Sequence, residues 1–430
     1  MTVFRPFRGC RYNPSVVGDL ASVLCPPYDM IAPELQESLK RLSPYNAVHL
    51  EGGEQPDPVD PEAGYRQASA IFRQWLEEGV LRRDQEPSFY LMRHGYQFQG
   101  EYREQLGLFG GVQIEEYESR IVLPHEYTRE PAVQDRIALM DYCQAQFSPV
   151  MTTYRDADGV LKPVFNQVMD TAPVLEVTDS PDGDVALWRI TDPARQERIS
   201  RFFRDCPVFL ADGHHRYEAA LRYRKEQQSK GRLSSNSAYN YVMMALVEFD
   251  DPGLLLLPYH RTVAGLSQEQ LSQVRDGLDE LFESRPVELE SDEDVERVLE
   301  QVAFLGKDGH ALAVLGPEKN EAFLLMLRPG VDWRQWGDLA VSEAWIMDEK
   351  VLGPILGDSL TRYVNYSHDH QQAVQQVNSG QQQLAFLLKP FPLDAFESIV
   401  GGGQRLPSKS TFFYPKLPTG LVIHQLEGEV

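Results

Sequence analysis

Apolar segments of two different periods alternate irregularly along this chain, and that irregularity limits the folds open to it. Ala63–Gly79 carries Ile71, Trp75 and Leu76 at helical spacing, with Gly79 placed to end the helix. From Ser88 the pattern shortens: Phe89–Met92 and Tyr96–Phe98 read as two strands around a His94-Gly95 turn, and Leu106–Ile114 as another. Asp135–Gln146 reads as a helix, Val150–Tyr154 as a strand, and Tyr239–Glu248 as a buried strand. Ala311–Leu315 and Ala322–Leu327 read as a strand pair. Polar stretches at Glu51–Pro61, around Asp182-Gly183 and at Ser229–Ser237 read as loops. A regular strand–helix–strand repeat is missing. The expected fold class is therefore α+β, a mixed-sheet multi-domain protein rather than a doubly wound parallel one.

The 430 residues suit two or three domains. Lys and Arg number 41 against 64 Asp and Glu, a net charge of −23 that repels phosphate backbones and anionic lipids. Neither nucleic acid nor a membrane is expected as a partner, and no apolar run approaches the ~18 residues of a membrane span. A small anion can still bind in a local pocket that overrides the global field. The four cysteines, Cys10, Cys25, Cys143 and Cys206, form no CxxC pair, which argues against structural zinc and a disulfide framework. The N-terminus lacks a signal-peptide core, so the expected location is cytoplasmic.

The sharpest local pattern is Val208-Phe-Leu-Ala-Asp212-Gly213-His214-His215-Arg216-Tyr217-Glu218-Ala-Ala220. An apolar strand runs into a glycine turn and then a helix, whose first N–H groups and positive dipole end suit phosphate oxygens. Arg216 can add a charge-assisted pair, and His214 and His215 add donors. Asp212 opposes an anion unless it holds Mg²⁺ on the phosphates or caps the helix. The plainer reading makes Asp212 a cap, Gly213 a turn and the histidines surface residues. A third makes Asp212, His214 and Glu218 the ligands of a metal-dependent phosphohydrolase.

Asp212-Gly-His-His-Arg-Tyr217 after an apolar strand resembles the phosphate-binding motif of the ParB/sulfiredoxin superfamily, and within it the free-serine kinases. Those kinases carry an upstream Pro-His-Glu whose Glu is the catalytic base, and this sequence has Leu123-Pro124-His125-Glu126. The resemblance implies a kinase-like phosphotransferase acting on a small hydroxylated metabolite such as serine. Its cofactor would be Mg²⁺ with ADP or ATP, and its partners the nucleotide and the small substrate. Glu126 and Asp212 would be catalytic, with Asp212 on the metal and Gly213, His214, His215 and Arg216 around the phosphates. Glu126 and Asp212 stand farther apart here than in those kinases, so either an insertion separates them or Glu126 is not the equivalent residue. ParB relatives use the same fold as a nucleotide-gated clamp, which leaves a non-catalytic, nucleotide-responsive interaction protein as the alternative.

The whole chain is similar to the domain-of-unknown-function family 1015. The matching stretches are Cys25-Pro-Pro-Tyr-Asp29, Leu123–Glu126 with Asp135-Arg136, Ser148-Pro149, Ala211–Ala220, Asn240–Met244, Asp251–Gly253, Leu257–Arg261 and Leu406–Leu421. The expected divisions are an N-terminal α+β region over 1–118, a ParB/sulfiredoxin-like nucleotide-binding region over 119–232, and a C-terminal α+β region over 233–430.

Further anion or substrate contacts are sought where cations stand out in this acidic chain. Lys409, Ser410, Thr411 and Lys416 form a cationic, hydroxyl-rich stretch that can bind an anion or be a solvated loop. His260-Arg261 follows an apolar run and can line a site or make a structural ion pair. Arg136 can meet Glu126, a phosphate or a helix neighbour. Ser367-His-Asp-His370 can chelate a metal through its His-x-His pair, but reads more readily as a helix cap, and His94 and His125 read as turn residues.

Overall fold

The computed structural model describes residues 1–51, 60–178, 180, 183–231, 234–288, 291–307, 309–316 and 321–430. The loop expected over 51–61 and the turn residue Asp182 lie largely outside them. The chain packs as two compact units, Met1–Leu255 with Pro415–Val430, and Leu256–Tyr414.

The first unit is built on a nine-stranded mixed sheet. Its strands are β1 (Phe4–Arg5), β2 (Phe89–Phe98), β3 (Glu101–Gln113), β4 (Val122–Leu123), β5 (Val150–Tyr154), β6 (Leu175–Val177), β7 (Asp184–Ile190), β8 (Val208–Asp212) and β9 (Tyr241–Glu248). Their order is β4-β8-β5-β9-β3-β2-β7-β6, with β1 also paired to β3. The pairs β4/β8 and β5/β9 are parallel and the others antiparallel. Strand β9 lies in the middle of this order, and all but its last residue is buried, which is why it reads as one apolar run. The sheet draws strands from 1–118, from 119–232 and from 233–430, so the divisions expected at 118/119 and 232/233 fall among residues that share it.

Three helices of this unit are α1 (Ala63–Glu77), α2 (Glu130–Cys143) and α3 (His214–Ser229). Helices α2 and α3 pack on each other. Val133 and Met140 of α2 join Tyr217, Ala220 and Leu221 of α3 in one core with Val122, Val150 and Leu210 of the sheet. Helix α2 starts earlier than its apolar period suggests, because Pro131 fits its first turn. The expected turn at His94-Gly95 is not formed, since β2 runs unbroken through both residues. The chain reverses at Gln99-Gly100, both left-handed, with φ of 49° and 77°. That pair of positive φ angles suits the right-handed twist of a tight hairpin.

The second unit has a six-stranded antiparallel sheet: β10 (His260–Val263), β11 (Phe282–Val287), β12 (Ala311–Leu315), β13 (Ala322–Leu327), β14 (Val364–Ser367) and β15 (Leu384–Leu388), in the order β11-β13-β12-β15-β10-β14. Leu312 and Val314 enter one core and Ala313 and Leu315 another, so both faces of β12 are covered. Ser267 with Gln270, and Ser291 with Asp294, close capping boxes on the helices Gln268–Leu281 and Asp292–Leu305. Asp369 caps the helix that starts at His370, as its sequence suggests. No helix among the described residues is long and apolar enough to cross a membrane.

Candidate functional site

Two short motifs meet because β4 and β8 pair in parallel, Val122 opposite Val208 and Leu123 opposite Phe209. Pro124-His125-Glu126 therefore leaves the sheet beside Leu210–Gly213. The register of β8 against β5 shifts between Leu210 and Asp212, a bulge of the kind that re-aims side chains at sheet ends. Gly213 then turns the chain into α3 with φ +86°. A Cβ there would stand 2.9 Å from Arg216 Nε, so both the backbone angle and the close guanidinium favour glycine.

Asp212 is held between two cations. Lys416 Nζ donates to its Oδ1 at 2.6 Å, and Arg216 Nη2 to its Oδ2 at 2.7 Å. Burial alone would raise this carboxyl's pKa, but Lys416 and Arg216 together outweigh it and hold the group well below the usual carboxylate range. A carboxylate with each oxygen already on a cation is a poor Mg²⁺ ligand. The expectation of a metal on Asp212 therefore gives way to a buried ion-pair role. Arg216 is likewise turned inward: it is buried, and its Nη1 donates to the Pro149 carbonyl oxygen. It is not poised as a fork for phosphate.

Beside this network, His125, Glu126 and His214 each place one ligand-type atom within 4.8 Å of the others. His125 is only 2% exposed. Its Nδ1 lies 2.6 Å from the Leu210 carbonyl oxygen, which can only accept, so Nδ1 carries the proton and Nε2 the lone pair. Burial, the largest influence, lowers the His125 pKa and keeps the ring neutral at pH 7. The His125 backbone N–H donates to His214 Nε2 at 3.3 Å, and the two rings meet edge-on at 4.4 Å. His215 Nε2 accepts from the Arg129 backbone N–H at 3.1 Å. Glu218 pairs with Arg222 at 2.8 Å, so Asp212, His214 and Glu218 do not form the ligand set considered for a phosphohydrolase.

The remaining sequence candidates have structural partners. Arg136 pairs with Glu51 Oε2 at 2.8 Å and with Asp135, and its guanidinium lies 4.0 Å from the centre of the Tyr28 ring. Burial pushes the Tyr28 hydroxyl up to about 12. Arg136 and Arg216 help line a cavity of about 30 Å³ with Glu51 and Ser148, room for about one or two water molecules. In the second unit, Arg261 is fully buried on Asp348 at 2.9 Å, and His260 Nδ1 accepts from the Leu388 N–H at 3.1 Å. Lys409 sits over the Tyr259 ring, Ser410 donates to the Pro407 carbonyl oxygen at 2.7 Å, and Thr411 is buried. The stretch from Lys409 to Lys416 is thus divided: Lys409, Ser410 and Thr411 belong to the second unit and Lys416 to the first.

Sequence reasoning missed His125 as a site residue, although it stands inside the Pro-His-Glu motif. Glu51 had no sequence signal, because nothing local marks it as the partner of a residue 85 positions away.

A family model described as "Protein of unknown function (DUF1015)" matches residues 4–342. No curated protein matches the chain. Among solved structures, a conserved hypothetical protein from Pyrococcus furiosus is similar at 14% identity, over 73% of this chain and 93% of that one, with a TM-score of 0.34. A free serine kinase variant in complex with ADP is similar at 12% identity, over 71% and 87%, with a TM-score of 0.34. SbnI from Staphylococcus aureus is similar at 11% identity, over 75% and 87%, with a TM-score of 0.35.

Proposed function

We propose a function from one premise: the chain belongs to the DUF1015 family, whose model spans residues 4–342. In this reading the protein is a nucleotide-dependent phosphotransferase acting on a small hydroxylated metabolite, with serine as the first acceptor to test. One observation carries it: a carboxylate, Glu126, stands within 4.8 Å of the His214 ring, which begins a sixteen-residue helix.

Phosphoryl transfer asks for three things: charge neutralisation on the phosphates, alignment, and a group to receive the hydroxyl proton. The first turn of α3 and the His215 ring supply dipole and donors toward a phosphate. Glu126 takes the proton of the acceptor hydroxyl as its oxygen attacks phosphorus. The bond between that phosphorus and the bridging oxygen breaks, and the shortened nucleotide leaves with the electron pair. Asp212, Arg216 and Lys416 do not touch substrate in this scheme. They fix the bulge and turn that place His214 against Glu126, and no step runs through a metal at Asp212.

The test is to incubate purified protein with ADP or ATP, Mg²⁺ and serine and to assay phosphoserine. Phosphoserine formation that needs both nucleotide and protein supports the reading. Calorimetry that finds no nucleotide binding overturns it. Binding without turnover on any hydroxylated acceptor makes the protein a nucleotide-responsive module instead.

A further inference from the structure

We propose that His125, Glu126 and His214 form a binding site for a first-row divalent transition cation of the zinc class. The proposal goes beyond the phosphotransfer reading and does not depend on a nucleotide.

The donor set decides the kind of cation. Two imidazoles and one carboxylate are borderline-soft ligands that suit zinc, cobalt or nickel, whereas Mg²⁺ and Ca²⁺ select oxygen donors. Three protein ligands also leave coordination positions open for water, hydroxyl or phosphate oxygen, as in metal sites that act on substrates.

Geometry supports the set in two independent ways. The three ligand-type atoms lie within 4.8 Å of one another, and ligands on a tetrahedral zinc with bonds of about 2.1 Å lie roughly 3.4 Å apart. The separations exceed that spacing by about 1.4 Å at most. The second support is the hydrogen bond from His125 Nδ1–H to the Leu210 carbonyl at 2.6 Å. Metal-bound histidines are commonly oriented in this way, with one nitrogen's proton on a backbone carbonyl and the other nitrogen's lone pair on the ion. His214 carries its Nε2 lone pair toward the same loop, where the 3.3 Å contact from the His125 amide is long enough to yield to a stronger ligand bond.

Lys416, whose charge reaches His125, is held by Asp212 at 2.6 Å. His125 and His214 are buried and Glu126 is half-buried. A cation there would neutralise phosphate charge and acidify a bound hydroxyl, in place of the free Glu126 base of the phosphotransfer reading.

The full chain, stripped with a chelator, is titrated calorimetrically with ZnCl2 and separately with MgCl2, without nucleotide. One equivalent of zinc is expected, with no magnesium heat at the same concentrations. His125→Ala and His214→Ala should each weaken zinc binding at least about 10- to 100-fold, the loss typical even of outer-shell partners. His215→Ala should leave it intact. Glu126→Gln, nearly the same shape and expected to fold, should also weaken it, and thermal melts of every variant report folding separately. Cobalt substitution adds a readout: visible absorption of a low-symmetry Co²⁺ site, lost in His125→Ala. Absence of zinc binding by the folded wild-type chain overturns the proposal, and so does zinc binding that survives both histidine substitutions. Nucleotide titration of the stripped protein tests the phosphotransfer reading separately, so failure of one is not failure of the other.

Discussion

Lys416 Nζ reaches Asp212 Oδ1 at 2.6 Å across 204 positions of sequence. This contact fastens Pro415–Val430 to the turn that opens α3. The same segment pairs His424 with Gln146, and Ile423 with Cys10 in an isolated bridge. Pro415–Val430 is thus a structural part of the first unit.

Removing one partner of this nearly buried pair should be costly. Lys416→Met leaves Asp212 with Arg216 alone, and a loss of about 2–4 kcal/mol is expected in denaturant unfolding. Asp212→Asn with Lys416→Met should cost about 1–3 kcal/mol less than the sum of the single changes, the signature of direct coupling. Strict additivity would show that the pair contributes nothing.

Gly213→Ala should destabilise by about 1–2 kcal/mol from its positive φ. Its Cβ would also press on the Arg216 guanidinium from 2.9 Å. The expected readout is a lower Tm together with weaker nucleotide affinity, since Arg216 braces the start of α3. An unchanged Tm would mean the turn relaxes without strain.

Glu126→Gln should lower phosphoryl transfer by about 10²–10⁴-fold while leaving the nucleotide dissociation constant nearly unchanged. Single-turnover kinetics with calorimetry on the same variant separates the two. Equal loss of binding and turnover would place Glu126 in binding alone.

Stability should fall in mild acid. Burial pushes the His424 pKa down to about 4, and burial with the charges of His370, Arg261 and His368 pushes His260 down to about 3. Both rings have an ordinary value near 6.5, so between that pH and the folded values the unfolded chain binds more protons. Their stabilisation is complete above pH ~6.5 and is lost as pH falls, on the order of 1 kcal/mol per unit per ring. Asp251, pushed up to about 6 mainly by burial, runs the other way as the folded state takes up its proton first. Burial also lowers the pKa of His49 and His125 and raises that of Glu248, so two carboxyls stand against four histidines; the balance is a net loss, and thermal melts from pH 7.5 to 4.5 should show a falling Tm. A flat profile would show that these rings are wetter than the structure has them.

Much of the local architecture is legible in the residues. Val208–Leu210 reads as a strand, Gly213 as a turn and His214 onward as a helix because each signal is local: apolar run, permissive backbone, helical period. The cap at Asp369 needs only a neighbour three residues away. His94-Gly95 misleads for a related reason. A glycine marks turns only on average, and here Gly95 lies inside a strand where Tyr102 fills the space a side chain would take.

Roles are far less legible, because they depend on partners remote in sequence. Asp212, Arg216, Arg136 and Arg261 all look like site residues in a chain of net charge −23, and all four are buried or nearly buried in ion pairs. A charge taken out of water requires a counter-charge, and that partner comes from wherever the fold brings one: Lys416, Glu51 or Asp348. His125 shows the converse. Between a proline and a glutamate it reads as a turn, until the parallel register of Val122 on Val208 sets its ring against Leu210 and His214.

By itself, then, the sequence determined a mixed α+β chain, membership of one family, and a strand–glycine–helix junction rich in histidine and carboxylate. Only the tertiary structure decided which of those groups neutralise one another and which remain grouped as His125, Glu126 and His214. Backbone period is set by residues three or four apart, but the field at a buried charge is set by whatever packs within a few ångströms of it.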